Sequence, residues 1–177
     1  MKETEFVTDR DLYTKVILGE VPYAEKFVWI ATSGIKDMYV ASGDRMVPFL
    51  QVLSDLVRSG VLVRLLYAAL SGLWFREDFD RYPDLIRGVE QMVCPRIHFK
   101  SVVVDGRFGY TGSANLTGAG LGAKGENRRN FEQGFVTREP ALVSRLMDAF
   151  DLIWMGRHCP DCQRKKYCTD YKNILRS

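Results

Sequence analysis

The chain has 177 residues, enough for one domain with a proper core and short for two. Hydrophobic residues at 46% and charged residues at 27% exclude a disordered or fibrous chain, and a net charge of +3 favours an anionic partner without the dense basic run of a dedicated nucleic-acid-binding tail. The opening MKETEFVTDR lacks the apolar stretch of a secretory signal. The most apolar segment, VLVRLLYAALSGLWF, is broken by Arg64 and falls short of the roughly 20 residues that cross a bilayer, so the expectation is a soluble, cytoplasmic protein with no membrane insertion.

In chain order, residues 9–19 (DRDLYTKVILG) predict a short amphipathic helix, and KFVWIAT (26–32) a buried strand. The stretch SGIKDMYVASGD reads as a loop. From Asp44 to Ser59, Phe49, Leu50, Leu53, Leu56 and Val57 fall at helical spacing, with Asp44 as N-cap and Gly60 as terminator. VLVRLLY predicts a second strand, and REDFDRYPDLIRGVEQM a helix with an ill-defined start at Pro83. Two hairpin strands follow, then a strand in NFEQGFVTRE. A helix opened by Pro140 comes next, its face carrying Leu142, Val143, Leu146, Phe150 and Ile153. Alternating strands and helices predict an α/β domain, a mixed β-sheet flanked by helices, over residues 1–155. Residues 156–177, rich in cysteine and positive charge, read as a short appendage.

The hairpin segment is IHFKSVVVDGRFGYTGSANLT, residues 97–117. Strand alternation puts His98 and Lys100 on one face. Asp105-Gly106 predicts a two-residue turn that returns the loop Gly112-Ser113-Ala114-Asn115 to the vicinity of His98. Ser113 and Asn115 add neutral donors, and Gly112 lets backbone approach a ligand closely; the collection suits a phosphate.

His98, Lys100, Asp105, Gly112, Ser113 and Asn115, spaced H-x-K-x4-D-x6-G-S-x-N, resemble the HKD signature of the phospholipase D superfamily, and the likeness runs over residues 27–155. The resemblance implies a phosphodiesterase without a catalytic metal, working through a phosphohistidine on one histidine while a second serves as general acid and base. By carry-over His98 is the nucleophile. Lys100 and Asn115 hold phosphate oxygens with Ser113 in support, Glu132 in NRRNFEQGF orients the imidazole, and Asp105 looks structural.

The chain has two histidines, and the second, His158, is followed by neither the lysine nor the GSxN loop. The mechanism therefore implies a homodimer with two copies of His98 facing across a twofold axis, as in the short bacterial endonucleases of the superfamily. Cys159, Cys162 and Cys168, with His158 adjacent, predict a structural zinc site whose fourth ligand is His158 or Cys94; another metal, an iron–sulfur cluster or a Cys159–Cys162 disulfide are the alternatives. Lys124, Arg128 and Arg129 after the GSxN loop, with Arg164, Lys165 and Lys166 in the appendage, favour nucleic acid, DNA or RNA, as substrate. The expected activity is a sequence-nonspecific endonuclease. A lipid phosphodiesterase and a catalytically silent nucleic-acid-binding module are the competing readings.

Overall fold

The computed structural model describes residues 3–36, 38–68 and 73–171. Strand β1 (Thr4–Thr8) leads into a π-helical segment, Leu12–Leu18, and then β2 (Phe27–Thr32). A small hairpin, β3 (Tyr39–Ser42) and β4 (Arg45–Pro48), precedes α1 (Phe49–Arg58) and β5 (Leu62–Tyr67). After α2 (Leu73–Asp80), α3 (Pro83–Gly88) and β6 (Val89–Val93) come β7 (Lys100–Val104), β8 (Phe108–Gly112), β9 (Gln133–Thr137) and α4 (Pro140–Trp154).

Seven strands form one mixed sheet in the order β1-β9-β8-β7-β2-β5-β6. β2, β5 and β6 are parallel, whereas β7, β8, β9 and β1 continue from β2 in antiparallel steps. The central strand β2 is apolar throughout because both its faces are covered. Val28 and Ile30 point to the face packed by α1 and the Leu12–Leu18 segment. Trp29 and Ala31 point to the other, where Phe150 of α4 is fully buried. The Phe150 ring stacks on Trp29 and Trp154 at centroid distances of 5.1 and 5.5 Å. Burying such a ring stabilises the fold by about 2–3 kcal/mol.

Several element boundaries differ from the sequence expectation. The helix expected from Asp44 begins at Phe49. Gly43, at φ 59°, makes a two-residue turn with Asp44, and the following residues pair back onto Tyr39–Ser42 as β4. Gly60 does end α1, at φ 89°. The single helix expected over 76–92 is two helices with Pro83 in the first turn of the second, and its last residues are strand β6. The Asp105-Gly106 turn is three residues long, since Val104 pairs with Phe108. β1 was not anticipated: it is an edge strand with a mostly exposed face, and only pairing with β9 defines it. Asp37 of the expected loop and residues 172–177 of the appendage lie outside the described residues.

Candidate active site

The end of β2, the start of β7, the end of β8 and the start of β9 lie at one edge of the sheet, because β7, β8 and β9 alternate in direction beside β2. His98, Lys100, Ser113, Asn115 and Glu132 all sit at these strand ends, so the topology gathers them at one place. His98 is exposed, two residues ahead of β7, and Lys100 is the first residue of that strand.

Lys100 is 7% exposed, and its ammonium donates to the His98 carbonyl oxygen at 2.6 Å. No ion pair among the described residues includes it. A buried ammonium without a carboxylate leaves a strong demand for an anion.

Asn115 is held by the loop after β2. Its Oδ1 accepts from Ser33 Oγ at 2.8 Å, from the Gly34 N–H at 3.1 Å and from Thr32 Oγ1 at 3.3 Å. With Oδ1 taken, the amide Nδ2 donors have no acceptor among the described residues and remain for a ligand. Ser113 Oγ donates to the Glu132 carboxylate and accepts the Gln133 N–H at 3.1 Å. The other Glu132 oxygen accepts from Asn130 Nδ2 at 3.1 Å. Within one chain the hydrogen bonds of this carboxylate thus run to Ser113 and Asn130 rather than to His98.

Glu132 is fixed from a distance. The Asp9 N–H donates to the Glu132 carbonyl at 2.9 Å, and Asp9 Oδ1 accepts the Glu132 N–H at 3.0 Å. Asp9 adopts φ 45°, a left-handed conformation that needs such support. Neither Asp9 nor Thr32 and Ser33 was singled out from sequence: each is a common polar residue whose role depends on a partner far along the chain.

The missing side chain of Gly112 makes room for the neighbouring strand, since a Cβ would lie 2.5 Å from the Gln133 carbonyl oxygen. Asp105 lies in the three-residue turn at the far end of β7, away from the site. Its carboxylate accepts the N–H groups of Glu25, Lys26 and Phe27 at 2.8–2.9 Å, fixing the entry to β2, which is the structural part expected of it. Burial pushes this carboxyl up, but the three N–H groups and Arg107 outweigh it and hold it below its usual range.

The loop between Asn115 and Glu132 carries Lys124 and Arg128, both exposed, and the half-buried Arg129; none of the three has an ion pair among the described residues. Lys124 lines an open groove of 420 Å³ together with Lys36 and the exposed Tyr39. Phe131, beside Glu132, is 97% exposed. Beyond the C-terminal end of α4, Cys159, Cys162, Cys168 and His158 line one cavity of 210 Å³ together with Cys94. Among the described residues no three His, Cys, Asp or Glu side chains are already grouped so as to hold a metal ion.

A mixed sheet with helices on both faces, carrying one His-x-Lys pair and one Gly-Ser-x-Asn loop at the same edge, defines a phospholipase D-like domain. The family described as "Cardiolipin synthase, PLD-like domain" matches residues 18–154, and the chain belongs to it. No curated protein matches the sequence. Similar folds include Nuc from Salmonella typhimurium, a phospholipase D family member, at 16% identity and TM-score 0.61, covering 86% of this chain and 95% of that one. NucT from Helicobacter pylori matches at 15% identity and TM-score 0.60, over 84% and 94% of the two chains. TrmBL2, an archaeal chromatin protein with a novel mode of DNA binding, matches at 14% identity and TM-score 0.56, over 86% of this chain and 52% of that one. No described helix is long and apolar enough to cross a membrane.

Proposed function

We propose that this protein is a sequence-nonspecific endonuclease that cleaves nucleic acid through a phosphohistidine at the interface of a homodimer. The observation that carries the reading is Lys100: a buried ammonium with no carboxylate partner among the described residues, bonded to the His98 carbonyl and at the same strand ends as Asn115. A phosphodiester supplies the anion this pocket lacks.

In the proposed reaction Nε2 of His98 attacks phosphorus in line with the leaving oxygen. The P–N bond forms as the P–O bond breaks, and the leaving oxygen takes a proton from His98 of the partner subunit. Water then gives a proton to that same partner imidazole and displaces the phosphoryl group from His98, which restores both rings. Lys100 and Asn115 hold the non-bridging oxygens as charge builds on them, and Ser113 sets the position of the Glu132 carboxylate. No divalent ion takes part. The second histidine must come from another copy because the chain's other histidine, His158, is followed by neither the lysine nor the GSxN loop.

Lysine and arginine side chains on an exposed loop suit contacts to backbone phosphates, which carry no sequence information, and this supports cleavage without sequence preference. Lys36, Lys124 and Tyr39 in one groove, and Phe131 standing out beside Glu132, suit a single strand whose bases stack on aromatic rings. The fold shared with Nuc and NucT, and with the DNA-binding TrmBL2, supports the same choice.

The test is cleavage of single- and double-stranded DNA and RNA with no added divalent cation, over minutes after EDTA is added, while circular dichroism follows the fold. Activity that persists in the wild type and vanishes in His98→Ala is expected. Metal-dependent cleavage retained by the variant would overturn the mechanism, and activity from a strict monomer would overturn the dimer. Turnover of a lipid phosphodiester undiminished by competing DNA would favour the lipid reading. Binding without cleavage in the wild type would favour the silent module.

A further inference from the structure

We propose that Cys94, Cys159, Cys162 and Cys168 are the four thiolate ligands of a structural zinc ion that pins the C-terminal segment to the turn leading into His98. The four cysteines come from two distant parts of the chain and line a single cavity of 210 Å³. None of the four is in a disulfide. The remaining walls are largely apolar, with Met92, Ile97, Phe99 and Ile153 among them, and the polar ones are Arg96, His158 and Tyr171.

Two of the ligands sit in matching turns. In the first, the Ile97 N–H donates to the Cys94 carbonyl at 2.9 Å. In the second, the Cys162 N–H donates to the Cys159 carbonyl at 3.2 Å and the Arg164 N–H points at Cys162 Sγ, 3.4 Å away. Arg96 and Lys165 add positive charge around Cys162, which offsets part of the charge of a tetrathiolate site. Cys168 is held at the rim, its sulfur 3.4 Å from the Val93 carbonyl. Since no three of these side chains are yet grouped as ligands, zinc binding requires the thiols to turn about χ1 into the space they already border.

The fourth ligand is Cys94 rather than His158. His158 is exposed and directly precedes Cys159, so that the two cannot both reach a tetrahedral ion from adjacent backbone positions without distortion. Cys94 is half-buried at the end of β6, faces the other thiols, and supplies an anchor on the body of the domain. The segment after α4 has need of one, because most of its described residues are exposed and it buries little apolar surface of its own. The consequence reaches the active site through covalent connection: Cys94 is four residues before His98, with Pro95 between them. The ion would fix the backbone from which His98 projects, without contact to the reacting atoms.

The test uses the full chain as purified. Elemental analysis is expected to give about one zinc per chain, and exchange with Co(II) a tetrahedral spectrum whose sulfur-to-cobalt charge-transfer intensity corresponds to four thiolates. Cys94→Ser should lose the metal or shift the cobalt spectrum to three thiolates, whereas His158→Ala should leave both unchanged. A metal-free protein that does not bind Co(II) would overturn the proposal, as would a Cys159–Cys162 disulfide, iron–sulfur absorbance, or a cobalt spectrum with an imidazole ligand that His158→Ala abolishes. Should Cys94→Ser fail to fold, the wild-type cobalt spectrum still counts the thiolates. These readouts are independent of cleavage, so their failure leaves the nuclease reading intact.

Discussion

Asp9 and Glu132 hold each other by two backbone-anchored hydrogen bonds, one in each direction, that tie the end of β1 to the start of β9. The carboxylate that meets Ser113 is therefore positioned from the N-terminal edge of the molecule. Replacing Asp9 by alanine removes the acceptor for the Glu132 N–H and leaves a residue with a β-carbon at φ 45° without that support. Asp9→Ala should cost about 2 kcal/mol in urea unfolding. It should also lower kcat more than it raises KM, because substrate contacts remain while Glu132 loosens.

Lys100→Met is expected to separate function from stability. The methionine keeps the length of the side chain and removes a buried charge that has no carboxylate partner among the described residues, so the melting temperature should hold or rise. Cleavage should fall by about 10²–10³-fold, the usual loss when one preorganised donor to a transition-state oxyanion is deleted. A variant of normal activity would remove Lys100 from the site.

Asp105 makes the fold sensitive to acid. Its folded carboxyl lies below the ordinary range, so the stabilisation is complete at neutral pH and is lost as pH falls through the unfolded value near 4 and below. Asp105→Asn keeps the shape and an oxygen for the Lys26 and Phe27 N–H groups, but puts an N–H₂ group against the Glu25 N–H and removes the charge, at a cost of about 2 kcal/mol at pH 7. Denaturant curves at pH 7, 4 and 3 should show the wild type converging on the variant as the solution becomes acidic.

Gly112→Ala tests the contact between β8 and β9. The added methyl group would lie 2.5 Å from both the Gln133 carbonyl oxygen and the Tyr110 hydroxyl, so the strands must part. A loss of about 2–3 kcal/mol is expected in thermal or chemical unfolding, with cleavage reduced because Ser113 and Glu132 lie on the two strands that move.

The basic loop should show itself in salt dependence. Each phosphate contact contributes about 0.7 to the slope of log affinity against log salt on a single strand, and about 0.9 on a duplex. Lys124→Ala, Arg128→Ala and Arg129→Ala, combined, should flatten that slope and weaken binding equally across sequences. A change in sequence preference instead would point to base contacts.

Much of this organisation was legible in the chain itself. The continuous apolar run of KFVWIAT announced a central strand, and Pro140 marked the start of α4. The spacing of His98, Lys100, Ser113 and Asn115 singled out the residues that strand ends now bring to one edge. β1 and β6 were not legible, since their sequences carry little alternation and exist as strands only through their neighbours. Asp44 looked like a helix cap because capping and hairpin turns use the same small polar residues.

Sequence alone determined the kinds of group available and their local order: one histidine in a complete signature, a lysine two places on, and cysteines clustered near the end. Tertiary structure decided which groups meet. Strand order brought Asp9 to Glu132 and the loop after β2 to Asn115, and it set Cys94 rather than a closer neighbour beside the C-terminal cysteines. These pairings depend on the register and direction of strands far apart in the chain, which local propensity does not encode.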